Sequence, residues 1–211
     1  MNKKLALLIL SDILIVSSFG LIGPIFALFI NQDLNGGVVS AGIATAIYWG
    51  VKSTIQLPLS KYLIDKHKRK TQLLLIGTFL IITVPLMYVL AQDVKLIFLA
   101  QAVYGLGTAL AYPSWFSLFT FYMDKKKRGF EYSLWSTSIG LGSGAAAFFG
   151  ANIAKILGFR PLFLVVGAIA FTGFLILIVL DRFENKRGFD IKKIDFSKTK
   201  QAVFPKVKSK F

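Results

Sequence analysis

The stretch LIFLAQAVYGLGTALAYPSWFSLFTFYM, residues 96–123, runs for 28 residues without one charged side chain. As an α-helix rising 1.5 Å per residue it is about 42 Å long, more than the ~30 Å of bilayer hydrocarbon. A soluble helix of that length carries charge along its outer face, and this one carries none. Hydrocarbon offers no water to unpaired backbone groups, so a spanning segment is a helix or a strand of a closed barrel. The strict alternation of barrel strands is missing here, which leaves the helix.

Five further apolar runs lie on either side, over residues 5–30, 38–59, 71–92, 132–154 and 161–180. Inside all six only Asp12 and Lys52 are charged. The whole chain is 55% hydrophobic and 17% charged with a mean hydropathy of +0.65, which excludes an ordinary soluble domain. The expected fold is all-α, a polytopic membrane protein with six transmembrane helices. It divides into a bundle over residues 1–181 and a basic tail over 182–211. The first run is too long for a signal peptide, and Gly23-Pro24 offers no small-x-small cleavage site. The absence of cysteine removes disulfides, thiolate nucleophiles and thiolate metal sites.

The chain holds 25 Lys and Arg against 10 Asp and Glu, a formal charge of +15. These charges are segregated. Lys3, Lys4, the Lys61–Lys70 loop, Lys125–Arg128 and the tail fall on one side of the six spans, and Lys95, Lys155 and Arg160 on the other. Basic residues mark the cytoplasmic side, so both termini are expected there, in the inner cell membrane. The tail sets Phe189, Ile191, Ile194 and Phe196 among ten basic residues, a composition suited to an anionic headgroup surface. The expected partners include the lipid bilayer. No nucleic-acid recognition fold is visible, so no nucleic acid is expected.

Within the apolar runs the polar residues are aligned. Residues three, four, seven and eleven apart share a helix face. On the second span Thr45, Tyr48, Lys52 and Gln56 fall within an arc of about 80°, and on the fourth Gln101, Tyr104, Thr108, Tyr112 and Trp115 do the same. Such stripes face a water-filled cavity or a partner subunit, or else serve as polar glue between helices. Asp12 and Lys52 each lie roughly 10 Å inside the same membrane face, a depth at which they can meet. Pairing lowers the cost of two buried charges, while a lysine at that depth can also snorkel to the headgroups. On the fifth span Ser133, Thr137, Gly140, Gly144, Ala147 and Ala151 make a small face, and Gly140 and Gly144 are read as helix-packing residues. Pro24, Pro58, Pro85 and Pro113 stand inside spans as hinges or fixed kinks.

Enzyme chemistry finds no support. His67, the sole histidine, has no second ligand at suitable spacing, so no metal site is expected. The phosphate-loop pattern is absent, and the glycines at 105, 107, 140, 142 and 144 fall inside apolar spans. No cofactor is expected, and the chain is read as not an enzyme.

The residues resemble the major facilitator superfamily of secondary transporters. The loop Lys61-Tyr-Leu-Ile-Asp65-Lys66-His-Lys68-Arg69-Lys70 is similar to that family's Gly-x-Leu-x-Asp-Arg-x-Gly-Arg-Arg signature, with lysines at both glycine positions. The first span with Asp12, Gly20 and Gly23-Pro24 looks like the family's first helix. Gly105-Leu-Gly107 with Pro113 looks like its fourth, where Gln101 replaces the usual arginine. Arg128-Gly129 and Gly158-Phe-Arg160-Pro-Leu-Phe163 fit the openings of the fifth and sixth, while the antiporter signature of the fifth is partial. The resemblance covers one six-helix half of a twelve-helix fold, whose halves rock about a central site. It implies a cavity lined by the first and fourth helices and a cytoplasmic gate at Asp65, Lys66, Arg69 and Lys70. One half cannot enclose that site, so a homodimer or a complementary half is implied.

The expected function is therefore secondary transport of a small solute by alternating access. The chain would act as a half-transporter, or as the N-terminal part of a split or truncated one. Asp12, Lys52, Gln56, Gln101, Tyr104, Thr108, Tyr112 and Trp115 would line the path of the solute and of any coupling ion. The competing class is a non-transporting membrane scaffold whose stripes are interfaces and whose tail recruits lipid or protein.

Overall fold

An apolar run in hydrocarbon must satisfy its backbone hydrogen bonds internally, and every one of the six does so as a helix. The computed structural model describes residues 2–64 and 70–183, and the backbone of 184–186. Its helices are α1 (Lys3–Gly20), α2 (Phe26–Gln32), α3 (Gly37–Leu59), α4 (Lys70–Leu90), α5 (Val94–Tyr122), α6 (Arg128–Leu157) and α7 (Phe159–Lys186). A 3-10 turn over Gly23–Ile25 joins α1 to α2, and a π-helical turn over Ser60–Ile64 extends α3. The segments long and apolar enough to cross a membrane are Lys3–Gln32, Gly37–Ile64, Lys70–Leu90, Val94–Tyr122, Arg128–Leu157 and Phe159–Phe183. No strand occurs among the described residues. The protein is an all-α, multi-pass membrane protein. The loop residues Asp65, Lys66 and Arg69, and the tail beyond Lys186, lie outside the described residues.

The four prolines act differently. Pro24 has no N–H to give, and the first span tightens there into the turn that separates α1 from α2. Pro58, Pro85 and Pro113 sit inside continuous helices. Asn2 caps α1 by accepting from the Lys4 N–H at 3.1 Å, and Asp93 caps α5 by accepting from the Leu96 N–H at 3.2 Å. Between α6 and α7 stands Gly158 alone, at φ 89°, a left-handed conformation that favours glycine.

Packing order departs from chain order. The helices form an arc that runs α6, α1, α7, α4, α5, α3, so α6 and α3 are the two flanks. Glycines set the closest crossings. Gly105 and Gly107 are two residues apart, hence about 200° apart around α5, and each serves one neighbour. A Cβ at Gly105 would stand 2.7 Å from the Tyr48 carbonyl oxygen of α3. A Cβ at Gly107 would stand 2.8 Å from the Gly77 oxygen of α4, and one at Gly77 would stand 2.7 Å from the Gly107 oxygen. Such contact between small residues is what holds helices together in lipid, where burial of apolar surface drives little.

The small face of α6 does not play this part within the chain. Gly140 and Gly144 meet nothing within 4 Å among the described residues, so the packing expected of them is not made inside this bundle. The contact with α1 is made by a neighbouring face of α6. Gly142 packs on Ser17 and Gly150 on the Leu21 backbone, while a Cβ at Gly20 would stand 3.2 Å from the Ser143 Cα. The stripe of smallness is real, but α1 lies against the face beside it.

Apolar side chains fill the bundle at two levels. Phe29, Ile30, Val84, Tyr88, Ile97, Leu162 and Phe163 belong to one cluster, toward the end that holds Asp33, Ala91 and Arg160. Leu5, Leu8, Leu74, Trp115, Phe119, Leu177 and Leu180 belong to the other, toward the end that holds Lys3 and Lys70. At the first end Arg160 Nε lies 3.8 Å from Asp33 Oδ2, and its Nη2 donates to the Ala91 oxygen at 3.4 Å. One guanidinium thus joins the ends of three helical hairpins. At the second end Lys70 Nζ donates to Ser117 Oγ.

Candidate functional site

α1 and α5 touch only lightly, because α7 and α4 lie behind them as the floor of the arc. The gap holds a cavity of about 130 Å³, lined from α1, α4, α5 and α7. Its polar wall comprises Ser11, Asp12, Thr78, Tyr104, Thr108 and Tyr112, with Trp115 beside them. Asp12 is the one charged residue in that lining.

Two aromatic layers bound this space. Toward the Arg160 end, Phe19 stacks on Tyr104 at 4.9 Å and 11°, and Tyr104 stacks on Tyr48 at 4.7 Å and 28°. This layer crosses α1, α5 and α3. Toward the Lys3 end, Trp115 stacks on Phe119 at 4.7 Å and meets Trp135 at 5.0 Å. Trp115 also donates its Nε1–H to the Leu8 oxygen at 3.4 Å, closing α5 onto α1 below the cavity.

Asp12 is half-buried, and its Oδ2 accepts a hydrogen bond from Trp135 Nε1 at 2.7 Å. A carboxylate in hydrocarbon needs such a donor. The partner is thus an indole on α6 and not the ammonium of Lys52. Depth alone allowed either, since Trp135 is seven residues into α6, roughly 10 Å along it. The arc decides between them, because α1 packs on α6 whereas α5 stands between α1 and α3.

Lys52 is held differently. Its Nζ lies 4.7 Å from the Trp49 ring centre, 5.5 Å from that of Tyr112 and 5.6 Å from that of Tyr48. The Tyr48 hydroxyl is 3.5 Å away. Lys52 is absent from the cavity lining, but Tyr112 touches both.

The other expected residues divide. Tyr104, Thr108, Tyr112 and Trp115 come together on the cavity wall. The Thr108 hydroxyl donates to its own helix, at the Tyr104 oxygen 2.7 Å away. Gln101 is buried and turns toward α4, where its Nε2 donates to the Tyr88 hydroxyl at 3.0 Å, so it is packing rather than lining. Gln56 is half-buried and does not line the cavity. Phe19, Ser11, Thr78 and Trp135 complete the site and were not singled out in the sequence. For Trp135 a signal existed, since an indole N–H within an apolar span requires a partner. No group of three or more metal-ligating side chains occurs among the described residues.

The structure thus has six spans, a cavity between the first and fourth, and one half-buried acid on the first. Residues 8–209 match the Major Facilitator Superfamily. The chain belongs to that superfamily. Its members are transporters rather than enzymes. Among curated superfamily relatives, the chain is 30% identical over 168 residues to the quinolone resistance protein NorB of Staphylococcus aureus strain JH9. The same values hold for NorB of strain Newman. The match takes in 78% of this chain and 35% of each relative, so the chain spans about a third of their length.

Proposed function

We propose that this bundle is one half of a secondary transporter that moves a small organic solute by alternating access. The second half would be another copy, a separate six-helix chain, or the remainder of a longer transporter. The observation that carries this reading is the cavity itself, a largely apolar pocket with one acid on its polar wall, between two aromatic layers, on the side of the arc where α1 and α5 part. A structural bundle gains nothing from such a gap. The bare flanks α3 and α6 support a second bundle as the missing wall, since both leave most of their surface uncovered.

Asp12 would bind a cationic group or a coupling proton, with Trp135 holding the carboxylate in place. Tyr104, Thr108 and Tyr112 would contact the solute, while Phe19 and Trp115 limit its size. The relatives' name, quinolone resistance protein, supports a flat aromatic compound as the solute class. The segregation of basic residues supports cytoplasmic termini in an inner membrane. The bond from Lys70 to Ser117 supports a gate at that loop, because it ties the loop's end to α5.

The test is reconstitution in proteoliposomes after the mass of the intact membrane complex has been measured. Two bundles per complex, with uptake of an aromatic solute that falls at least tenfold in Asp12→Asn, is the expected result. A lone bundle that moves nothing, alone or with a co-expressed partner, contradicts it.

A further inference from the structure

A lysine inside a span ordinarily finds a carboxylate or reaches the nearer headgroups, and Lys52 does neither. No ion pair to it exists among the described residues. Its nearer membrane face is the one at the Leu59 end of α3. The ammonium instead lies over Trp49 and beside the Tyr48 hydroxyl, on the residues three and four positions back, which is away from that face. Tyr112 of α5 supplies a second ring. The Trp49 and Tyr112 rings within about 6 Å of the ammonium, together with the Tyr48 hydroxyl at 3.5 Å, form an aromatic cage of the kind that recognises organic cations. The cage stands open on one side, since Trp49 is 54% and Tyr112 47% exposed. Through Tyr112 and the Tyr48–Tyr104 stack it is continuous with the cavity.

We propose that Lys52 is a tethered occupant of this cage, a residue that fills a quaternary-ammonium-type site and so keeps organic cations out of it. Removing the ammonium leaves the Trp49 and Tyr112 rings and the Tyr48 hydroxyl around one empty point beside the cavity. Keeping it there leaves a positive charge without a carboxylate, which repels a second cation. Lys52 is then the residue that sets the charge preference of the cage, while Asp12 remains the one charged residue of the cavity beside it. This rests on reading the cavity as a solute site for its biological meaning, while the cage is tested by binding alone.

Equilibrium dialysis of isotopically labelled tetramethylammonium against the purified protein in nanodiscs reads the cage directly. Lys52→Ala is expected to bind at least tenfold more tightly than the unaltered protein. Lys52→Arg, which keeps the charge, is expected to match the unaltered protein, and Lys52→Ala with Trp49→Leu to lose the gain. Equal binding by Lys52→Ala and the unaltered protein overturns the proposal, as does tight binding by the unaltered protein itself. Should Lys52→Ala not fold, a second measurement decides. After reductive methylation with labelled formaldehyde, the Lys52 methyl resonance, assigned by its loss in Lys52→Arg, is expected upfield of the other lysines from ring currents. A resonance among the ordinary lysines overturns the proposal. Absence of uptake in every variant would count against transport and leave the dialysis result to judge the cage.

Discussion

The indole of Trp135 on α6 and the carboxylate of Asp12 on α1 meet at 2.7 Å across more than 120 residues of chain. In hydrocarbon such a bond is worth about 0.6 kcal/mol on average and up to about 1.7 kcal/mol. A double-mutant cycle with Trp135→Phe and Asp12→Asn, read by thermal unfolding in detergent, is expected to give a coupling energy in that range. Uptake should fall in both single variants, because Trp135→Phe leaves the ring but frees the acid from its donor. Additive effects on stability would mean that the two side chains do not bond.

Gly77 and Gly107 meet backbone to backbone where α4 crosses α5, and a methyl at either stands under 3 Å from the other's oxygen. Gly77→Ala and Gly107→Ala are each expected to cost about 1–3 kcal/mol, since the two helices must move apart. Gly140→Ala and Gly144→Ala meet open space and should change the stability of the isolated bundle by less than about 0.5 kcal/mol. Thermal unfolding of the four variants checks the contrast. Equal losses in both pairs would show that the arc places α6 wrongly.

Gln101 donates to Tyr88 inside the packed wall, so its loss is expected to register as stability rather than selectivity. Tyr88→Phe, which leaves the amide without an acceptor, should cost about 1–3 kcal/mol. Gln101→Leu, which removes the amide, should leave solute competition profiles in proteoliposomes unchanged. A shifted profile would return Gln101 to the solute path.

The six helices were legible because their signal is additive over some twenty residues each, and no single position decides it. The site was legible only in part, and for a geometric reason. A stripe such as Gln101, Tyr104, Thr108, Tyr112 and Trp115 shows which residues share a face of α5, but that face is wide enough to meet two surroundings. Tyr104 through Trp115 look into the cavity, while Gln101, at the far end, has rotated toward α4. The partner of Asp12 depended on which helix lies beside α1, and spacing along one helix carries no such information. The arc places α6 and α7 against α1 and sends α3 to the far flank, an order that the sequence of spans along the chain does not carry.

Arg160 bridges Asp33 and Ala91 at the surface, with its side chain 54% exposed. Solvent screens such a pair, so Arg160→Ala is expected to cost no more than about 1 kcal/mol. Measured in low and high salt, the difference from the unaltered protein should shrink as ionic strength rises. A larger, salt-independent loss would assign the contact to packing.

The gap between α1 and α5 is proposed to be a wetted solute cavity. With no native cysteine, single substitutions report on it cleanly. Thr108→Cys and Gln101→Cys are to be treated in membranes with a small, charged, membrane-impermeant thiol reagent. Rapid labelling at position 108, slowed by a bound solute, and protection at position 101 are expected. Protection at 108 equal to that at 101 would contradict it, and would make the polar wall a packed interface.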